Sequence, residues 1–351
     1  MSKNISEIDK NFKVETKIEK EDIKFYDPKI APFKVWGLFH EDGMWRRLPE
    51  SVAKTVSDGV FFLHNTTAGG RIRFKTDSPY VAINAKMPDM CKLSECAFTG
   101  TAGFDIYTDG EYEGTFIPPY NATNGYESIR ELGSRKMRDI VINFPIYSKV
   151  SEVYIGLAED AEILPADPYK IERPVVYYGS SITQGGCASR PGATYQSVIC
   201  RALDVNFINL GFSGKAMGEP EIADYIKTLD MSVFVYDYDF NAPDHEHLKA
   251  THENMFKKIR EANPTLPVII MSKPKFFPSP ADVVRKETIR KTYENAKASG
   301  DENVYFIDGK ELMFIPGIEG TVDSTHPTDL GFYSMAQRII PVIKEIFAKQ
   351  V

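Results

Sequence analysis

Along the first half of the chain, apolar and polar positions alternate with a period of two over short runs. In Arg71-Ile72-Arg73-Phe74-Lys75-Thr76, Ile72 and Phe74 share one face, while Arg71, Arg73 and Lys75 share the other. Runs of the same kind, GVFFLHN, YVAINAKM, GFDIYTDGEYEGTFI, DIVINFPIY and VSEVYIGLA, are separated by turn signals. Asp109-Gly110 is a two-residue hairpin signal. The pattern predicts an all-β sandwich or jelly roll over 32–165, preceded by an N-terminal extension over 1–31.

Beyond the prolines at 165, 168 and 174 the period changes. Near-continuous apolar runs at 174–179, 205–210, 232–238, 267–272 and 303–308 read as strands. Stretches near 192–203, 219–229, 244–263, 281–299 and 328–348 carry helical spacing. Leu248, Met255, Phe256 and Ile259 keep one helix face, and Asn263-Pro264 stops that helix. Apolar strands alternating with helices imply βαβ units and a parallel sheet covered on both sides. The expected class is therefore α/β, a doubly wound domain over 166–351.

Composition narrows the function. A chain of 351 residues suits two domains, and 42% hydrophobic with 26% charged residues is globular usage. A net charge of -7 argues against a nucleic-acid partner, which calls for a basic face. The N-terminus is charged with both signs and lacks an apolar signal core, and no run reaches transmembrane length. These features predict a cytoplasmic protein with no membrane partner, its four cysteines held as thiols. Cys91 and Cys96 have no second Cys/His pair at ligand spacing, so neither a metal site nor a disulfide is expected there. A homo-oligomer is left open.

In an open α/β sheet, ligands bind beyond the carboxyl ends of the strands. That edge gathers Gly179-Ser180-Ser181-Ile182-Thr183-Gln184-Gly185-Gly186, then Gly211-Phe212-Ser213-Gly214, Asp239-Phe240-Asn241, and Asp323-Ser324-Thr325-His326. Acyl transfer needs this set. A serine hydroxyl becomes nucleophilic when an imidazole takes its proton, and a carboxylate fixes the imidazole tautomer. Backbone N–H groups at a glycine and an Asn amide suit the oxyanion. Taken singly, each piece has a plainer reading as a helix cap, a tight turn or a turn residue; taken in order on strand ends, they favour catalysis.

The same residues resemble the SGNH (GDSL) hydrolases. Gly179-Ser180-Ser181-Ile182 matches their first block, with Ser181 as nucleophile. Gly214, within Asn209-Leu-Gly-Phe-Ser-Gly214, matches the second-block glycine. Asn241 matches the third-block asparagine, and Asp323 with His326 matches the final Asp-x-x-His. Ser180 stands where the family has Asp, and Asp239 and Ala242 differ from the residues flanking the third-block Asn. Upstream, Gly103-Phe104-Asp105-Ile106-Tyr107 is similar to the Gly-x-Asp-Leu-Tyr signature of a carbohydrate-binding-module-like domain that precedes some of these enzymes. The resemblance implies a flavodoxin-like sheet and a cofactor-free serine esterase. It assigns Ser181, His326 and Asp323 as the triad, with Ser181, Gly214 and Asn241 as the oxyanion hole. The expected substrate is an O-acetylated carbohydrate. The alternatives are an acyltransferase using the same triad and an inactive sugar-binding protein.

Three further residues are candidate substrate contacts. Trp45, beside Arg46 and Arg47, could stack on a sugar, although a buried anchor of the sandwich is favoured. Arg71, after Ala68-Gly69-Gly70, could reach the catalytic face or close an ordinary turn. Asp239, in the Tyr236-Asp237-Tyr238-Asp239 run, could bring a carboxylate to the pocket or serve structural hydrogen bonding. His245 and His247 are two apart at a helix start and do not share a face, so they read as a solvated first turn.

Overall fold

A computed structural model describes residues 14–350. Residues 1–13 of the expected extension lie outside the described residues. The chain forms two compact units. One comprises described residues up to Arg47, then Asn65–Pro168 and Ser189–Gly192; the other comprises Leu48–His64, Tyr169–Ala188 and the chain from Ala193 onward.

The first unit is built of short antiparallel strands. In chain order they are β1 (Ile23–Tyr26), β2 (Lys34–Trp36), β3 (Phe39–Glu41), β4 (Met44–Arg46), β5 (Arg71–Thr76) and β6 (Tyr80–Lys86), followed by β7 (Phe104–Thr108), β8 (Glu111–Phe116), β9 (Gly125–Glu131), β10 (Arg138–Asn143), β11 (Glu152–Ala158) and β12 (Ile163–Leu164). One sheet runs β1-β11-β6-β9; the other runs β12-β5-β10-β7-β8, with β2 also on β5. Ile72, Phe74, Ile106, Ile140 and Ile142 from the second sheet share one core with Val81, Ile83, Val153 and Ile155 from the first. Asp109 and Gly110 both take positive φ, 52° and 86°, and join β7 to β8. That backbone matches the right-handed strand twist, which is why Asp-Gly serves there.

Three expectations need correction. Part of the expected extension belongs to the sandwich, because β1 (Ile23–Tyr26) pairs antiparallel with β11, Phe25 opposite Gly156. GVFFLHN is not a strand: Asp58–Leu63 is a helix, capped by the Ser57 side chain accepting from the Val60 N–H. Val60 and Leu63 lie three apart on its buried face and join the core of the second unit, with Leu48 and Ala53. Finally, Arg71 and Arg73 are buried, not solvated. β5 lies inside its sheet, and Arg73 meets Asp139 of β10 at 3.5 Å.

The second unit holds a parallel sheet of β13 (Ile171–Gly179), β14 (Val205–Gly211), β15 (Val233–Asp237), β16 (Val268–Met271) and β17 (Val304–Ile307). Their spatial order is β14-β13-β15-β16-β17, the flavodoxin-like 2-1-3-4-5 arrangement. Strand alternation sends Val176 and Tyr178 to one face, into a core with Leu248, Met255, Ile259 and Ile289 of the helices His245–Ala262 and Pro280–Ala298. Tyr177 points to the other face, against Tyr195 of the helix Tyr195–Leu203, and Tyr195 stacks on Phe332 of the helix Asp329–Ala348. With both faces covered, the strands read as apolar throughout. The strand order reverses at β13, so the crevice at its carboxyl end is where a ligand belongs.

Candidate active site

β13 ends at Gly179, and Ser180 caps a single helical turn, Ser181–Gln184, by accepting from the Ile182 N–H at 3.2 Å. Gly185, in a left-handed conformation with φ 112°, closes that turn. Space explains the glycines. A Cβ on Gly179 would lie 2.2 Å from Thr183 Oγ1, and one on Gly211 would lie 2.1 Å from the Gln184 nitrogen. The turn therefore packs directly on two strand ends, and Ser181 is held at its first helical position.

His326 arrives from the loop before the last helix. Ser181 Oγ lies 2.8 Å from His326 Nε2, and His326 Nδ1 lies 2.8 Å from Asp323 Oδ2. With Nδ1–H donating to Asp323, Nε2 is left to accept the serine proton. The other Asp323 oxygen accepts the backbone N–H groups of His326 at 2.7 Å and Thr325 at 3.0 Å. Desolvation pushes the Asp323 carboxyl up, but hydrogen bonds from the His326 backbone and ring and from Thr325 outweigh it. The net direction is below the ordinary carboxylate range, so the group is an anion at neutral pH.

The second-block glycine lies in a tight turn, with Lys215 N–H donating to the Phe212 carbonyl at 2.9 Å. Gly214 takes φ 68° at its third position, where a type II turn needs glycine. Asn241 Oδ1 accepts the Ala216 N–H at 3.3 Å, which ties the loop after β15 to the loop after β14. That bond uses the acceptor end of the amide, leaving its NH2 end as the donor.

The three candidate substrate contacts are all buried. Trp45 is a core residue of the sandwich, 3% exposed and packed on Phe144 with ring centroids 5.6 Å apart. Arg71 is 1% exposed and donates to the Gly69 carbonyl two residues back. Asp239 is 1% exposed, and its carboxylate receives Arg285 Nε at 2.8 Å and the Lys273 N–H at 3.3 Å. Arg285 also donates to the carbonyls of Asp239 and Ala242, so Asp239 anchors the loop bearing Asn241. The Trp and both charged groups have their partners inside the fold. His245 and His247 diverge, to Thr288 and to the Met217 carbonyl.

Sequence reasoning missed a buried polar scaffold under the Ser181 turn. Gln196 Nε2 and Asn209 Nδ2 both donate to the Thr183 carbonyl, at 2.6 and 2.8 Å. Asn209 Oδ1 accepts the Gly211 N–H, and Gln184 Oε1 accepts the Ser213 N–H, each at 2.9 Å. Asn209 is a polar residue buried in a mostly apolar strand, a signal that could have flagged it.

A 2-1-3-4-5 parallel sheet with a Ser–His–Asp chain at its carboxyl edge defines the class, an SGNH-type hydrolase fold. A GDSL-like lipase/acylhydrolase family model matches residues 172–344, and a model of the GxDLY N-terminus of SGNH-hydrolase-type esterases matches 23–163. The chain belongs to the GDSL-like lipase/acylhydrolase family and carries the GxDLY N-terminal domain. Among solved structures, one from Bacteroides ovatus ATCC 8483, described as a GDSL-like lipase, is 28% identical with a TM-score of 0.83, covering 93% of this chain and 98% of its own. The salicylyl-acyltransferase SsfX3 of a tetracycline biosynthetic pathway is 20% identical, TM-score 0.76, covering 93% and 98%. An acetyl xylan esterase, Est2A from the rumen bacterium Butyrivibrio proteoclasticus, is 12% identical, TM-score 0.61, covering 92% and 99%. The latter two show a shared fold. No curated protein matches the chain. No helix among the described residues is long and apolar enough to cross a membrane.

Proposed function

We propose that the protein is a serine esterase that removes small acyl groups, acetyl foremost, from O-acetylated carbohydrate. The observation that carries this reading is the continuous Ser181–His326–Asp323 chain, with both links at 2.8 Å. Ser181 Oγ attacks the ester carbonyl while His326 Nε2 takes its proton; the developing oxyanion is met by the N–H groups of Ser181 and Gly214 and by the Asn241 amide. His326 then protonates the departing sugar oxygen, which leaves as a hydroxyl, and an acyl-enzyme remains. Water, giving a proton to the same imidazole, then attacks the acyl-enzyme carbonyl, and His326 returns that proton to Ser181 Oγ as the acid leaves. The carbohydrate assignment is supported by the GxDLY domain and by likeness in fold to an acetyl xylan esterase. In the cytoplasmic setting expected from the sequence, the substrates would be imported oligosaccharides. Acetate release from acetylated xylo-oligosaccharides, compared with deacetylated controls, tests the substrate class; hydrolysis of simple esters without it would reject the carbohydrate.

A second reading is favoured by the likeness to the salicylyl-acyltransferase. There an acceptor alcohol replaces water in the second step and every other role is unchanged. Product analysis with added alcohols separates the two, and transfer without hydrolysis would reject the esterase.

A further inference from the structure

At the end of β15, Asp237 pairs across the sheet with Gly179, the last residue of β13 and two before Ser181. Its Oδ2 accepts Thr183 Oγ1 at 2.8 Å and the Tyr195 hydroxyl at 3.4 Å. All three groups are buried. The missing Cβ at Gly179 is what lets the Thr183 hydroxyl cross the strand end to reach this carboxylate. Thr183 belongs to the same helical turn as Ser181, and its carbonyl is the one held by Gln196 and Asn209.

We infer that Asp237 is a positioning residue for the nucleophile, acting through Thr183 to hold the Ser181 turn in register with His326. This rests on the serine-hydrolase reading above. Burial pushes the Asp237 carboxyl up to about 7, outweighing the hydrogen bonds from Thr183 and Tyr195, with nearby Asp239 adding to the rise. Burial makes the ionised form of this acid costly, and an amide of the same shape would avoid that cost. A costly carboxylate wired to the nucleophile turn points to a role in activity.

The test is the rate at which Ser181 is labelled by a fluorophosphonate, which reads the nucleophile without knowledge of the substrate. In that step Ser181 Oγ forms the O–P bond, the P–F bond breaks with loss of fluoride, and the serine proton passes to His326. D237N and T183V are expected to react roughly tenfold or more slowly. The double variant should be no slower than the slower single one, because both break one link. T183S, which keeps the hydroxyl, should recover most of the rate lost in T183V. D237N should melt no lower than wild type at pH 8. Labelling of both variants at the wild-type rate overturns the inference while leaving the esterase reading intact. Slow labelling matched by loss of folded protein in both variants assigns a purely structural role and also overturns it. A wild type that is not labelled at Ser181 overturns the esterase reading and this inference with it.

Discussion

Asp105 accepts the Gly192 N–H at 2.7 Å, and Tyr107, two residues along the same strand, donates to the Gly192 carbonyl at 3.3 Å. The period of two puts both side chains on the face opposite Phe104 and Ile106, which fill the sandwich core. Asn143 satisfies the other Asp105 oxygen at 2.7 Å. The Gly-x-Asp-x-Tyr pattern is thus a clamp on one backbone residue. A Cβ on Gly192 would lie 2.5 Å from the Tyr107 ring and 2.7 Å from Asp105 Oδ2. Gly192→Ala should cost about 1–3 kcal/mol of stability in urea denaturation, and Asp105→Ala, which strands a buried N–H, a similar amount. Wild-type midpoints in both would contradict the clamp.

Asn241→Ala should lower kcat by about 10²–10³-fold with a small change in KM, since the amide is asked to act on the oxyanion. Steady-state kinetics on p-nitrophenyl acetate read this; a change confined to KM would place Asn241 in ground-state binding instead.

Arg285→Met leaves the Asp239 carboxylate buried without its cation. The expected loss is about 3–5 kcal/mol in denaturant unfolding. A near-neutral result would mean that water replaces the guanidinium at the Asn241 loop.

Asp237 and Asp323 bias stability in opposite directions. The Asp237 carboxyl, raised to about 7 chiefly by burial, binds its proton more tightly in the folded state; Thr183, Tyr195 and Asp239 are the groups facing it. The resulting stability is fully present below the ordinary Asp range and is lost as pH rises through about 7. Wild type should therefore lose melting temperature relative to D237N between pH 5 and 8. Asp323, shifted down, contributes stability that is present above the ordinary Asp range and lost as pH falls through its lowered value. Thermal melts across pH for wild type, D237N and D323N check both signs.

The α/β half was legible because its strands are buried on both faces and Asn263-Pro264 marks a helix end; β13–β17 fall within a few residues of the expected runs. The Ser181–His326–Asp323 contact chain was legible because its residues lie in short patterns beside regular elements, Ser181 just after β13 and Asp323 and His326 just before the last helix. What failed depends on partners distant in sequence. Asp239 looked available until Arg285, 46 residues on, was found to cover it. The run GVFFLHN offers apolar residues without a decisive period, and only the Ser57 cap and the second unit's core make it helical. No local pattern reveals that 48–64 joins the α/β unit or that 189–192 joins the sandwich, because those assignments are made by non-local packing.

The most direct test of the central claim is hydrolysis of p-nitrophenyl acetate by wild type and Ser181→Ala measured side by side. The account predicts wild-type turnover and a loss of about 10⁴-fold or more in a variant that folds normally. Turnover undiminished by the substitution, or its absence in wild type, would contradict it.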